Sequence, residues 1–495
     1  MLDQYRRDYA EFNAAMMREH YLFSSGQKAA LDLAPVYERF GDLFSRDTIA
    51  KLQQQLDDTS EHFETDRAAL SHLLRFAVEQ YLEDAVKELT EEVSALEASA
   101  TVEFARRTLT FQETVIAIAT EPDQTMRQAL DARRLSVIAS ANDLRAERLL
   151  KLHEAARSLG YESYMRLFEQ LRQLDYEAVE RAALPLLART ESLYVACLNE
   201  ILQQHLGIHI DEAERCDYLH LMRLTRFDGR FPASRLMKVY RQTLDGLGIN
   251  VDAQRNVEVD NAIRPHKMPR ACCVPVIVPD DIKLIIRPAG GQADYKSLLH
   301  EGGHAQHYAW TAAGMRPEFK YTGDYALSES YAFLFHHLLT DRAWLTEVLG
   351  FADNRDFIRA FTLVELMTTR RIITKLGYER RLHAGEDMAR AADDYAESLS
   401  QATRFKTSKT EYLSDTDDAF YVANYVRATA LALLLREHLQ SRFGQRWWAS
   451  RQAGNFLKEI WETGDRYSAD EMAAQIGIGP IIFDPLIDEF NEILK

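Results

Sequence analysis

Cysteine is scarce in this chain of 495 residues: there are four, Cys197, Cys216, Cys272 and Cys273. They show neither the CxxC spacing of a structural zinc site nor the density of a disulfide-built scaffold, so the fold must rest on an apolar core. Adjacent Cys272 and Cys273 lie in a strand-like apolar run whose alternation sends one inward and the other outward. All four read as reduced thiols acting as small apolar residues. Long apolar runs are missing too. The longest, 428–435, falls far short of the ~20 residues that a helix needs to span a bilayer. The first residues, Met1-Leu2-Asp3-Gln4-Tyr5-Arg6-Arg7-Asp8, are charged and lack the apolar segment of a signal peptide, which predicts a cytoplasmic protein. Basic residues are outnumbered, 59 Lys and Arg against 76 Asp and Glu, for a formal charge of −17. That balance argues against nucleic acid and anionic membranes as partners. No low-complexity tract, long linker or repeat of fixed period is present, which excludes fibrous and disordered classes.

What is present is 46% hydrophobic and 27% charged, the composition of a globular protein with a large core. To about residue 250 the pattern is nearly all helix. Runs such as 138–159 and 176–206 carry apolar residues at i, i+3, i+4 and i+7, and Gly160, Gly229-Arg230-Phe231-Pro232 and Gly246-Leu247-Gly248 punctuate them. The pattern changes near 271–288, where two β-branched runs, 272–278 and 282–286, flank Pro279-Asp280-Asp281 as in a hairpin. Gly290-Gly291 resets the chain, and helices continue to Lys495. These patterns predict a mainly α protein with a small antiparallel sheet. Its expected organisation is an N-terminal helical lobe, 1–250, and a catalytic lobe, 251–495, in one compact unit.

His300-Glu301-Gly302-Gly303-His304 carries the chemistry. On a helix the i and i+4 imidazoles leave one face, so they can share one Zn²⁺ while Glu301 faces the water to be activated. Glu329, 25 residues past His304 in a second helical run, would complete a His₂Glu set with one position open. The bland alternative is two partly buried helix histidines and a solvated carboxylate. Gly302 and Gly303 each cost a helix about 1 kcal/mol relative to Ala, so they ask for a reason: the close approach of another backbone or of a substrate. His153-Glu154-Ala155-Ala156-Arg157 has Arg in place of a second ligand and reads as an ordinary amphipathic helix. The metzincin pattern fails because Trp310 stands where its third His belongs. His307 reads as a group behind the site or lining its cleft, and His336 and His337 as packing or supporting groups. Tyr421 and Tyr425, at i and i+4, are candidate donors to a tetrahedral oxyanion, against the alternative that they pack with satisfied hydroxyls. The strands by the motif suit either pairing with an extended peptide or a purely structural sheet. Arg264, Lys267, Arg270, Arg287 and Arg427 are cations that could hold a substrate carboxylate, or simply solvated charges.

The run His-Glu-x-Gly-His-x-x-His ending at His307, the downstream Glu329, Phe420-Tyr421-Val422 followed by Tyr425, and the approach through Asp294-Tyr295 resemble the zinc oligopeptidases typified by thimet oligopeptidase and oligoendopeptidase F. The resemblance covers about 265–340 and 415–440. It implies one zinc per chain on His300, His304 and Glu329, Glu301 as general base, Tyr425 as leading oxyanion donor and Tyr421 as second. It also implies a large helical two-lobed ellipsoid with a deep central channel that admits short unfolded peptides. The family carries a His some ten residues before the tyrosine, and 411–419 contains none. Ser328-Glu329-Ser330 is also similar to the thermostable zinc carboxypeptidases, which keeps a metallocarboxypeptidase as the alternative to a metalloendopeptidase. His307, where those carboxypeptidases carry Tyr, favours the oligopeptidase. A non-catalytic peptide-binding scaffold is the third reading, and the intact ligand set argues against it.

Overall fold

Ser45, Thr110, Asp123, Ser163, Asp175, Asp324, Ser450 and Ser468 each accept a backbone N–H from the first turn of the helix that follows. Such caps are worth about 1 kcal/mol apiece and fix where helices start. In the computed structural model, which describes residues 2–264, 266–268, 270–385 and 388–495, helices dominate and the sheets are small. The two long helical runs read from periodicity are each interrupted. One becomes Gln124–Ser140 and Asn142–Ser158; the other becomes Tyr176–Ala183 and Pro185–Leu206, the latter opened by a proline that has no N–H to lose. Among the described residues no helix is long and apolar enough to cross a membrane.

Two units interleave along the chain. The first comprises Met1–Tyr81, Phe227–Ile358 and Arg427–Ile482; the second comprises Leu82–Arg226, Arg359–Val426 and Phe483–Lys495. The sequence reading runs instead in two consecutive blocks, 1–250 and 251–495.

The second unit contains a hairpin, β1 (Thr101–Phe104) and β2 (Arg107–Thr110), that the helical reading of 1–250 omits. Its turn residues, Ala105 and Arg106, have φ of 50° and 64°. Turns of that kind favour Asn-Gly, so the sequence offers no turn signal here. Val102 and Leu109 bury against Ile118, Leu130 and Cys216. In the same unit, 411–419 is stapled at nearly every other residue. Glu411 meets Arg134 at 3.0 Å, Asp415 meets Arg371 and the Tyr395 hydroxyl, and Asp417 meets Lys375 at 2.9 Å. Asp418 meets Arg148 at 2.7 Å, and the Ala419 N–H donates to the Tyr164 hydroxyl at 2.9 Å. These ties hold Ala419 and Phe420 at φ of 55° and 54°, a left-handed entry into the tyrosine helix Val422–Phe443.

The first unit contains a three-stranded sheet in the order β3 (Val257–Asp260), β5 (Asp281–Ile285), β4 (Cys272–Ile277). β4 and β5 form the expected antiparallel hairpin, but β3 joins β5 in parallel, so the sheet is mixed. Short β3 follows a turn and has no hairpin partner of its own, which is why periodicity alone misses it. Val274, Val276 and Cys272 pack on Met17 and Tyr21 of the first helix, Leu2–Ser24, whereas Cys273, Val257 and Ile282 pack beneath Ala305 and Ala309. The two cysteines do alternate, yet both faces are covered. The Ile282 and Ile286 N–H groups donate towards β3, to Asn256 and Asp260, which leaves Lys283 and Ile285 to pair with Val274 and Cys272 of β4. Cys273 and Pro275 therefore direct their backbone polar groups away from β5, along the free edge, where a residue without an N–H costs the sheet nothing.

Candidate metal centre

The motif helix, Gln292–Trp310, follows Gly290 and Gly291, whose φ of 92° and 90° turn the chain after β5. Asp294 secures that turn by accepting the Ala289 and Gly290 N–H groups, each at 2.6 Å. Gly302, Gly303 and Ala305 to His307 are buried, whereas His300, Glu301 and His304 are part-exposed. One helix face thus opens, and it carries the titratable groups.

The glutamate helix, Tyr325–His336, starts on Asp324, which accepts the Ala326 N–H, receives the Ala469 N–H at 2.9 Å and pairs with Arg427 at 2.8 Å. Burial would raise the Asp324 carboxyl, but Arg427 and these N–H groups hold it below its usual value. The two helices touch backbone to backbone. A Cβ on Gly303 would lie 2.7 Å from both Ala332 Cα and Tyr331 O, and one on Gly302 would lie 2.5 Å from the Tyr240 ring. Glycine at 303 thus admits another backbone, and the helix admitted is the one that bears Glu329. Glu329 Oε2 lies 3.4 Å from His300 Nε2 and 3.6 Å from His304 Nε2. One atom of each residue falls within 4.8 Å of the others, and two imidazoles with one carboxylate form a donor set that suits a tetrahedral divalent ion. Burial pushes the Glu329 carboxyl up, but His304 and His300 outweigh it and hold it well below the carboxylate range. On His304 burial works downward, and Glu329 overcomes it and raises the imidazole.

Each histidine is also met from behind. His304 Nδ1 lies 2.8 Å from Ser328 Oγ, His307 Nδ1 lies 3.3 Å from the same oxygen, and His307 Nε2 lies 3.3 Å from the Gly464 carbonyl. His300 Nδ1 faces His336 Nδ1 at 3.3 Å. Buried His307 is pushed down to about 4 and is neutral near pH 7. On the open side, Glu301 Oε2 accepts the Cys273 N–H of edge strand β4 at 2.9 Å.

With this geometry in view, a solved structure from Bacillus anthracis str. Ames, provisionally designated an oligoendopeptidase F, aligns over 92% of this chain and 84% of that one, with a TM-score of 0.62 and 16% identity. The fold is similar to that of an oligoendopeptidase F. No family model and no curated protein matches the sequence.

Within this oligoendopeptidase-like fold His300, Glu301, His304 and Glu329 come together in the first unit. Tyr421 and Tyr425 come together in the second, with ring centroids 5.1 Å apart. Both are part-exposed in a stretch whose other residues, Val422, Ala423, Asn424 and Val426, are buried. His153 of the near-miss motif bonds to His383 at 2.9 Å and stacks on Tyr164, a structural role. Of the five cations, Lys267 and Arg264 are taken by Asp260, at 2.9 and 2.7 Å, and Arg427 by Asp324 and Asp470. Arg270 and Arg287 are exposed.

Sequence reading misses Ser328 as a support, the Cys273 N–H and Gly464, since nothing in a linear pattern marks a residue 157 positions away as a partner of His307. It also misses Asp465. That carboxyl is buried, its Oδ1 has no hydrogen-bond partner among the described residues, and burial pushes it up to about 7. Between the unfolded value near 3.9 and about 7, the native state holds a proton that the unfolded state has lost, so stability falls as pH rises through that window. Asp465→Asn is neutral at every pH. In metal-free protein it is expected to gain stability over wild type progressively from pH 4 to 7, by on the order of 4 kcal/mol at most. Denaturant melts at several pH values check this, and a pH-independent difference contradicts it.

Proposed function

We propose that this protein is a zinc-dependent metalloendopeptidase that hydrolyses peptide bonds in short unfolded peptides. The observation that carries the reading is the convergence of His300 Nε2, His304 Nε2 and Glu329 Oε2 beside Glu301 on the open face of the motif helix. A zinc ion held by the three would polarise the scissile carbonyl and acidify water. Glu301 takes the proton from that water and returns it to the leaving amine. The Cys273 N–H holds one oxygen of the carboxylate and leaves the other for the proton. The free edge of β4 runs past Glu301 and suits an extended peptide, giving recognition through the backbone that tolerates many side chains. Tyr425, with Tyr421 second, is proposed to donate to the oxyanion, a role that suits their part-exposed pairing. Endopeptidase action is preferred to carboxypeptidase action because, of the five candidate cations, Arg264, Lys267 and Arg427 are committed to Asp260, Asp324 and Asp470, which leaves only exposed Arg270 and Arg287 to hold a terminal carboxylate.

Quenched peptides incubated with zinc-loaded, chelator-stripped and Tyr425→Phe protein, with products identified by mass spectrometry, test this reading. The expected result is internal cleavage that is lost on stripping, restored by zinc and reduced in kcat by Tyr425→Phe. Products limited to single C-terminal residues would replace it with the carboxypeptidase. Activity indifferent to stripping removes the metal reading, and an unchanged kcat removes Tyr425.

A further inference from the structure

The groups behind His304 form a chain whose direction is fixed from its far end. The Gly464 carbonyl can only accept, so the proton between it and His307 sits on His307 Nε2. A neutral imidazole carrying hydrogen on Nε2 has a bare Nδ1, which must accept. Its neighbour there is the Ser328 hydroxyl, which has one proton and gives it to His307. With that proton spent, Ser328 Oγ can only accept from its other partners. One is the Tyr308 hydroxyl, and the other is His304 Nδ1, which must therefore carry hydrogen. In the neutral ring the lone pair of His304 is thereby left on Nε2, the atom that faces Glu329.

Gly464 is built for this task. Its φ is +54°, and a Cβ there would lie 2.5 Å from the Phe319 carbonyl and 2.9 Å from the Met315 sulfur, so only glycine places the carbonyl at this point. Ser328 is adjacent to Glu329, so one turn of one helix supplies both the carboxylate in front of His304 and the hydroxyl behind it.

We propose that Ser328 and His307 are positioning residues which, keyed by the Gly464 carbonyl, lock His304 in its Nδ1–H tautomer and so prepare Nε2 for a metal ion. This rests on the reading of His304 as a metal ligand, and the experiment separates the two. In metal-free protein with ¹⁵N-labelled histidine, NMR along a pH titration should find His307 as the Nε2–H tautomer and His304, once its ring is neutral, as the Nδ1–H tautomer. In chelator competition, Ser328→Ala and His307→Phe should lower zinc affinity by about 10- to 100-fold, the usual effect of removing a partner behind a ligand. His307→Gln, which keeps an acceptor and a donor, should lose less than His307→Phe. A His307 Nδ1–H tautomer overturns the relay without recourse to any variant, as does wild-type zinc affinity in both Ser328→Ala and His307→Phe. Wild-type protein that binds no zinc, yet shows the expected tautomers, overturns the metal reading instead.

Discussion

Glu301→Gln is expected to lower kcat by about 10²- to 10⁴-fold while leaving zinc content at that of the wild type, the range spanned by positioned general bases. The substitution keeps the side-chain shape, and the amide oxygen can still accept the Cys273 N–H that holds the carboxylate at 2.9 Å. What it removes is the ability to take up a proton. Because the three candidate ligands are His300, His304 and Glu329, the metal complement should be indifferent to the change. The informative measurement is kcat and metal stoichiometry on one sample. Loss of both would make Glu301 a structural prop for the site, and retention of both would assign the base elsewhere.

Gly303→Ala is expected to act through geometry alone. Within a helix the change should stabilise by about 1 kcal/mol, because alanine is the better helix former. Here the new methyl would stand 2.7 Å from Ala332 Cα and Tyr331 O, backbone atoms that cannot swing aside, so the motif helix and the glutamate helix must part. Overpacking of this kind costs about 1–3 kcal/mol, which outweighs the propensity gain and reverses the sign. Glu329 lies one turn before Ala332, so the separation also draws its carboxylate away from both imidazoles, and zinc affinity should fall more than tenfold, the lower end of what a displaced partner costs. Gly302→Ala is the comparison, since its methyl would meet the buried Tyr240 ring, a side chain of another helix, and not the backbone of the helix that bears Glu329. Denaturant midpoints and zinc titrations of the pair check this. A Gly303→Ala protein that melts later than wild type and binds zinc normally would show that the helix contact is not what the glycine serves.

His300, Glu301, His304 and Glu329 are legible in the sequence because helical spacing is a local property: four residues along one helix decide that two imidazoles share a face. The hairpin was legible for the same reason, since β-branched runs and a Pro-Asp-Asp turn carry their own signal. The parallel strand β3, the Ala105-Arg106 turn and the interleaving of the two units were not, because each depends on which distant segment arrives. The glycines show the boundary well. Their cost to a helix announces that something comes close, yet only the fold reveals that it is the backbone at Tyr331 and Ala332. Positions 411–419 show it from the other side. In the sequence they stand out only for lacking a His, whereas in the fold Asp415 and Asp417 are held by Arg371 and Lys375 to shape the entry to the tyrosine helix.

The free edge of β4 offers carbonyls at Cys273 and Pro275, while the Cys273 N–H is already given to Glu301 and Pro275 has none. At these two positions the edge accepts and does not donate. Two copies laid edge to edge would set oxygen against oxygen at these positions, and Glu301 adds its charge there, so the strand is guarded against pairing with itself. A peptide chain, by contrast, can supply the missing hydrogens, provided that its own backbone carries them. Proline or N-methylated residues at the facing positions would leave those carbonyls unmet, and the same shortage of donors that prevents aggregation would then sort one peptide from another.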